Sequence, residues 1–295
     1  MYNRINPRID IAFKKLFGVE ENKDLLMSLV NSIVSSEDQV SDLTILNPYN
    51  AKNFGDDKLS ILDIKAKNKD GKLYNIEIQI TDQSDYDKRA LYYWGRLYTS
   101  QLKTSDKYSE LSKAIGIHIL NFSCIDSEEY HNNFVIKEKK SNIHYFKDLE
   151  LHTVELSKFA NGLSNELSDL VDRIKTSLDI WAGFLTRYNL LSKDGMPQNM
   201  RSEPVDKALH ELDVMNFSDI ERDAYEDHLK WMRDQMGALD KVSAESFAEG
   251  KAEGKAEGEY NKAIETARNM LSKDFAVSLI AECTGLSEEE IEKLK

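Results

Sequence analysis

Residues 59–80 read LSILDIKAKNKDGKLYNIEIQI, two apolar-alternating runs on either side of Lys69-Asp70-Gly71. Period-two alternation makes each run a strand, 59–67 and 72–80, and the Asp-Gly step between them marks a tight turn. In the first run Leu62 and Ile64 share one face, while Ile61, Asp63 and Lys65 share the other. In the second, Ile76, Ile78 and Ile80 oppose Asn75, Glu77 and Gln79. A two-residue loop would set Asp63 against Ile78 and mix the faces. A three-residue loop with Gly71 in the left-handed region sets Asp63 opposite Glu77, Lys65 opposite Asn75, Leu62 opposite Ile78 and Ile64 opposite Ile76. This register is expected, because a slip of one residue sends a whole set of side chains to the wrong face.

Two carboxylates facing each other across adjacent strands repel unless a cation or a proton intervenes. A divalent metal resolves the conflict, and hard oxygen ligands from two carboxylates, one main-chain carbonyl and water suit Mg²⁺. Such an ion stabilises charge developing on a phosphodiester, which is nuclease chemistry. The same residues on an ordinary solvated hairpin face would look alike, since Asp and Glu are common on strand surfaces.

Outward from the hairpin, 9–34 has the apolar spacing of one or two helices, and 42–46 reads as a strand. The segment 84–103 is helical, 114–122 (AIGIHILNF) is a buried strand, and shorter strands fall near 133–137 and 151–156. After about residue 165 the pattern is helical throughout, so the fold class is α/β followed by an all-helical C-terminal region. The expected divisions are a core at 1–160, a helical extension at 161–240, a Glu-Gly repeat helix or linker at 241–260 and a small helical module at 261–295.

The chain has 295 residues, 41% apolar and 9% aromatic, enough for one sizeable core and a smaller appended module. No apolar run approaches the roughly 20 residues needed to span a bilayer. The first residues, MYNRINPRIDIAFKKLFG, lack a signal peptide's apolar stretch, so a cytoplasmic protein with no membrane partner is expected. Cys124 and Cys283 lie far apart and suggest neither a disulfide framework nor a Cys-based zinc site. The net charge of −13 argues against nucleic-acid binding by the chain as a whole, but it is unevenly spread. Residues 1–160 hold 22 Lys+Arg against 24 Asp+Glu, leaving 17 against 28 for the remainder. Any DNA chemistry therefore belongs to the first half.

In the tail, AEGKAEGKAEGE at 248–259 is a four-residue repeat. Its glycines weaken a helix, and like charges four apart do little to restore it. A linker or weak helix is the plain expectation; a helix whose Gly/Ala stripe packs on a second copy is the sharper one. Three short helices are expected over 261–294, with Asp274 as an N-cap, Gly285 as a stop and a Ser287/Glu290 capping box. The outline resembles a helix-turn-helix, but EEEIEKLK at 288–295 would be repelled by phosphates, so protein contact suits it better.

The order of several blocks then narrows the reading. DIAFKKLFG at 10–18, the D…ExQ hairpin at 63–79, KRALYYWGRLY at 88–98 and LELHTVEL at 149–156, with the Glu-Gly repeat and terminal helices, resemble the Rpn recombination-promoting nucleases of the PD-(D/E)XK superfamily. The resemblance covers nearly the whole chain, and no single block would suffice. It implies a restriction-endonuclease-like core, with a mixed central sheet flanked by helices, and an Mg²⁺-dependent DNA endonuclease, Mn²⁺ being an alternative ion. By the same resemblance Asp63 bridges metal and scissile phosphate, and Glu77 and the main-chain carbonyl of Ile78 are metal ligands. Asp10 falls where related nucleases often carry a further acid; a helix-start charge is the competing reading. Gln79 stands where the general pattern has Lys, and an amide can only orient water by hydrogen bonds. Lys65, Arg89 and Tyr93 are the candidate phosphate and DNA contacts, Arg89, Tyr93 and Arg96 sharing one side of a helix. An ordinary exposed stripe is the plainer account of them. His118, inside an apolar strand, reads as a satisfied core histidine.

The partners implied are double-stranded DNA and a second copy of the chain through the helical tail, with no organic cofactor. The reading of another class is a nuclease-fold protein with little or no catalysis, acting as a DNA- or protein-interaction module through that tail.

Overall fold

A computed structural model describes residues 4–49, 63–81 and 85–294, with backbone only at 235, 236, 238–250, 252, 253 and 256. The chain divides into two compact units, Met1–Met232 and Arg233–Lys295.

In the first unit, α1 (Asp10–Phe17) and α2 (Lys23–Ile33) lead into β1 (Leu43–Ile45), β2 (Asp63–Asn68) and β3 (Leu73–Gln79). Then come α3 (Tyr86–Thr99), β4 (Ala114–Leu120), β5 (His131–Val135) and β6 (Leu149–Glu155). The helices α4 (Leu156–Ala160), α5 (Leu167–Arg173), α6 (Ser177–Arg187) and α7 (Glu203–Val214) follow, and then α8 (Asp219–Leu271). The six strands form one mixed sheet in the order β1-β2-β3-β4-β6-β5, with β3-β4 and β4-β6 parallel and the other pairs antiparallel.

The central hairpin pairs Asp63 with Glu77, Ile64 with Ile76 and Lys65 with Asn75, the register expected from a three-residue loop. Gly71 N–H donates to the Asn68 carbonyl at 3.2 Å, and Lys72 N–H to the Asn68 side chain at 2.8 Å. Gly71 has φ +86°, a conformation that costs a residue with a Cβ about 1 kcal/mol or more. The expected pairing of Leu62 with Ile78 lies outside the described residues.

Alternation gives the sheet two different faces. Ile64, Ile76, Ile78, Ile115, Ile117, Ile119 and Val154 join the main core with Phe13, Phe17, Leu26, Trp181 and Phe184 from the helices. Phe17 meets Trp181 edge-on at 5.4 Å, and the Trp181 indole donates to Ser28 Oγ at 3.2 Å. Each such ring removed from water contributes roughly 2–3 kcal/mol. The other face carries Asp63, Asn75, Glu77 and His118, and there α3 buries Tyr86, Ala90 and Leu97 against Leu120, Leu73 and Ala114. Apolar packing thus fixes one side of β3 and leaves the other for polar groups under α3.

The second unit has its own small core of Ala267, Ile280, Leu286 and Ile291, from the end of α8, α9 (Val277–Thr284) and α10 (Glu288–Glu292). The Glu-Gly repeat is helical and lies within α8. Cβ atoms built on Gly254 and Gly258 would meet nothing within 4 Å. The Ser287/Glu290 capping box forms, and Gly285 ends α9 at φ +72°. Asp274 is not an N-cap: it has φ +56° just past α8, and Ala276 occupies the cap position of α9 without a side-chain hydrogen bond. The left-handed stop after α8 consumes the residue that was expected to open the next helix.

Candidate active site

Three strands bring three polar side chains into one row. Asp63 on β2 lies opposite Glu77 on β3, and the parallel β3-β4 pairing sets Glu77 beside His118. The start of β2 is held by Asn47, whose amide donates to the Asp63 carbonyl at 3.1 Å and accepts from Lys65 N–H at 2.7 Å. Lys65 Nζ stands 3.3 Å from Asp63 Oδ2, both partly open to solvent.

Glu77 is 2% exposed. Its Oε1 accepts from Arg89 Nη2 on α3 at 2.8 Å, and the guanidinium lies 5.5 Å over the Tyr93 ring. Glu77 Oε2 is 3.8 Å from His118 Nδ1, which shares a 2.8 Å hydrogen bond with the Tyr86 hydroxyl. Burial, and then the nearby Arg89 and His152, push the His118 imidazole down to about 4. It is therefore neutral near pH 7 and cannot balance Glu77. Gly116, two residues earlier on the same face, leaves room for it: a Cβ there would lie 3.1 Å from His118 Nε2 and 2.6 Å from a Leu151 methyl. That Nε2 is buried without a hydrogen-bond partner among the described residues, so this histidine is in the core but not fully satisfied.

The acids of the site are poorly compensated. Burial raises the Glu77 carboxyl above its ordinary range; Arg89 opposes that, and the neighbouring Asp63 charge adds to it. Asp10, the first residue of α1, is pushed up to about 7 by burial and then by the charge of Glu77, with Arg89 pulling the other way. His228 on α8 comes within 3.9 Å of Asp10 Oδ2.

The structure thus brings Asp10, Asp63, Lys65, Glu77, Arg89 and Tyr93 into one neighbourhood. Gln79 shares the Glu77 face, and its amide donates to the Thr81 carbonyl at 3.3 Å. The Ile78 side chain lies in the main core, leaving only its main chain for the site. Among the described residues no three His, Cys, Asp or Glu side chains converge closely enough to hold a metal as they stand. Glu77 is turned onto Arg89, and Asp63 has Lys65 beside it. The donor set still fits a hard divalent cation: all are oxygens, and Asp10 and Glu77 bear a repulsion that such a charge would relieve. Three neighbours of the acids were not singled out from the sequence: Tyr86, Asn47 and His228. The position of His118 beside Glu77 was also missed. Parallel register is set through a long crossover, so no local spacing in the sequence announces it.

A family model described as PD-(D/E)XK nuclease family transposase matches residues 7–242. The chain belongs to this family. The match runs from before α1 into α8, so every group named above, from Asp10 to His228, lies inside it. Comparisons with curated proteins and with solved structures give no match.

Proposed function

We propose that this PD-(D/E)XK chain is a divalent-metal-dependent endonuclease that hydrolyses phosphodiester bonds in double-stranded DNA and promotes recombination. The observation that carries this reading is the pairing of Asp63 with Glu77, next to an Asp10 carboxyl pushed up to about 7. Asp63, Glu77, the Ile78 carbonyl and Asp10 would hold the ion, Mg²⁺ or in its place Mn²⁺, which supplies positive charge at the phosphodiester. Lys65 and Arg89 offer cations to phosphate oxygens, the Arg89 fork suiting paired oxygens. Tyr93 backs the guanidinium through its ring face. Gln79 orients water without accepting its proton. Neutral His118, tied to Tyr86, limits how Glu77 can turn.

The test is relaxation or linearisation of supercoiled plasmid by the wild type, Asp63→Ala and Glu77→Ala, with Mg²⁺ and with EDTA. Cutting by the wild type alone, and only with metal, is expected; equal cutting by all three proteins overturns the reading.

One observation favours a second reading, a nuclease-fold interaction module with weak catalysis: the Gln79 amide is engaged with Thr81 and stands where a Lys is usual. Metal titration separates the two, since a site that takes up neither Mg²⁺ nor Mn²⁺ at millimolar levels supports this alternative. Self-association through the tail belongs to either reading. Light scattering of the full chain against one ending near residue 240 checks it, and a monomer in both cases contradicts it. No helix among the described residues is long and apolar enough to cross a membrane, in keeping with a cytoplasmic site of action.

A further inference from the structure

The connection between β5 and β6 departs from the acidity of the rest of the chain. Residues 131–147 hold Lys137, Lys139, Lys140 and Lys147 against Glu138 alone, a net +3 in a chain of net −13. Every residue from Asn133 to Asp148 is exposed. Glu138 is occupied within its own turn: one oxygen accepts from Lys140 N–H at 2.9 Å, Ser141 N–H at 2.6 Å and Ser141 Oγ at 2.5 Å. None of the four lysines has a carboxylate partner among the described residues, whereas Lys15, Lys72, Lys113 and Lys158 each close on one.

Aromatic and aliphatic side chains lie between Lys140 and Lys147 in open solvent. Tyr145 is 80% exposed, Ile143 62% and Phe146 55%. The Tyr145 and Phe146 rings meet at 4.6 Å and 85°, so at least one ring face stays open.

The placement of this connection relates it to the site. α3 begins at Tyr86 and Arg89 beside Glu77, and near its other end Tyr98 donates to Asp148, the residue just before β6, at 3.0 Å. From Arg89 to Tyr98 the helix rises about 14 Å, on the order of four base steps along a strand. Its outer side carries exposed Tyr92 and Arg96, the guanidinium 5.9 Å over the ring.

We propose that the β5-β6 connection is a second nucleic-acid contact, taking a single-stranded stretch that flanks the cleavage position. Lys137, Lys139, Lys140 and Lys147 meet phosphates, and Tyr145 and Phe146 stack on unpaired bases. Open rings among uncompensated lysines suit strands whose base faces are free; a duplex keeps those faces stacked. An anionic lipid surface would also attract lysines and aromatics. The helix that leads from Glu77 to Asp148, with its own arginine and tyrosine side, favours a nucleic acid. The inference rests on reading the chain as a DNA-acting nuclease.

The experiment measures binding by the full-length chain in EDTA, so that cleavage plays no part. The probes are a labelled duplex with a single-stranded overhang, the same duplex blunt-ended, and phosphatidylserine vesicles. The proteins are the wild type, the Lys137→Ala/Lys139→Ala/Lys140→Ala/Lys147→Ala variant and the Tyr145→Ala/Phe146→Ala variant, all changed at exposed positions. The lysine variant is expected to bind the overhang at least tenfold more weakly, with the slope of log affinity against log salt reduced by about 3. The aromatic variant is expected to lose about tenfold on the overhang and nothing on the blunt duplex. Wild-type affinity and salt slope in both variants overturn the proposal while leaving the nuclease reading intact. Loss of vesicle binding alone assigns the surface to lipid and also overturns it. A wild type that binds none of the DNA probes overturns the nuclease reading itself, and this inference with it.

Discussion

At the amino-terminal ends of β3, β4 and β6, Asp38 accepts from Lys72 at 2.8 Å and from Lys113 at 2.6 Å, and Lys113 also closes on Glu150. Toward the other ends of the same strands, Glu77 has Arg89 as its cation, a neutral His118 and the repulsion of Asp63 and Asp10. The carboxyl groups respond in opposite directions. Burial would raise Asp38, yet its lysines hold it below the usual range. Glu150 is lowered to about 2, first by its hydrogen bond with His152 and then, against burial, by Lys113. Asp10 and Glu77 are instead pushed up. The first group is a completed ionic network that ties loops to strand ends; the second keeps an unmet demand for positive charge. Strongly perturbed carboxyl groups of this kind cluster at functional sites.

The sharpest way to break the contrast is Glu77→Ala, expected to lower metal-dependent plasmid cleavage about a thousandfold, equivalent to roughly 4 kcal/mol of transition-state stabilisation. Its unfolding midpoint in urea should change little, because Glu77 is already poorly compensated. Lys113→Ala should do the reverse. It leaves the buried Asp38 and Glu150 short of a cation, at a cost of about 3 kcal/mol in urea unfolding, with cleavage at 25 °C close to that of the wild type.

Asp10→Asn should weaken metal binding and yet stabilise the metal-free protein at pH 8 by on the order of 1–2 kcal/mol. A carboxyl raised from 3.8 to about 7 contributes most to stability below its unfolded value and loses that contribution as pH climbs through 7. The amide removes the ionisation, so a melting temperature at pH 8 no higher than that of the wild type would contradict this. The smallest effect is the acid limb of wild-type stability. His131 is lowered to about 4 by burial and the neighbouring His152, so its contribution holds above 6.5 and is lost as pH falls toward 4. Glu150 adds a second loss between about 4.5 and 2. Because Asp10 and Glu77 contribute with the opposite sign over the same range, the comparison is between proteins: from pH 6.5 to 4 the melting temperature of His131→Ala should rise relative to that of the wild type.

The hairpin was legible in the sequence because its determinants are local. Alternation assigns faces, and Asp70-Gly71 with a positive-φ glycine fixes the loop length, so the partners of Asp63 and Lys65 followed. The strands and helices of the core were also visible in their periodicity, to within a few residues at the ends. The contacts of Glu77 other than Asp63 were not. His118 reaches it through parallel pairing across a crossover of more than thirty residues, and His228 reaches Asp10 from a helix more than two hundred residues away. The tail left helix and linker both open for a different reason. Three glycines at four-residue spacing lower helix propensity, but α8 runs through them because Gly-for-Ala costs are small against a helix continuous on both sides.

Calorimetric titration of the metal-free chain with Mn²⁺ at pH 7.5 tests the central claim most directly, because it reads the demand for positive charge without reference to DNA. Binding by the wild type that is lost in both Asp63→Ala and Glu77→Ala, and unchanged in Lys113→Ala, is the predicted result. No uptake by the wild type, or equal uptake by all four proteins, would contradict it.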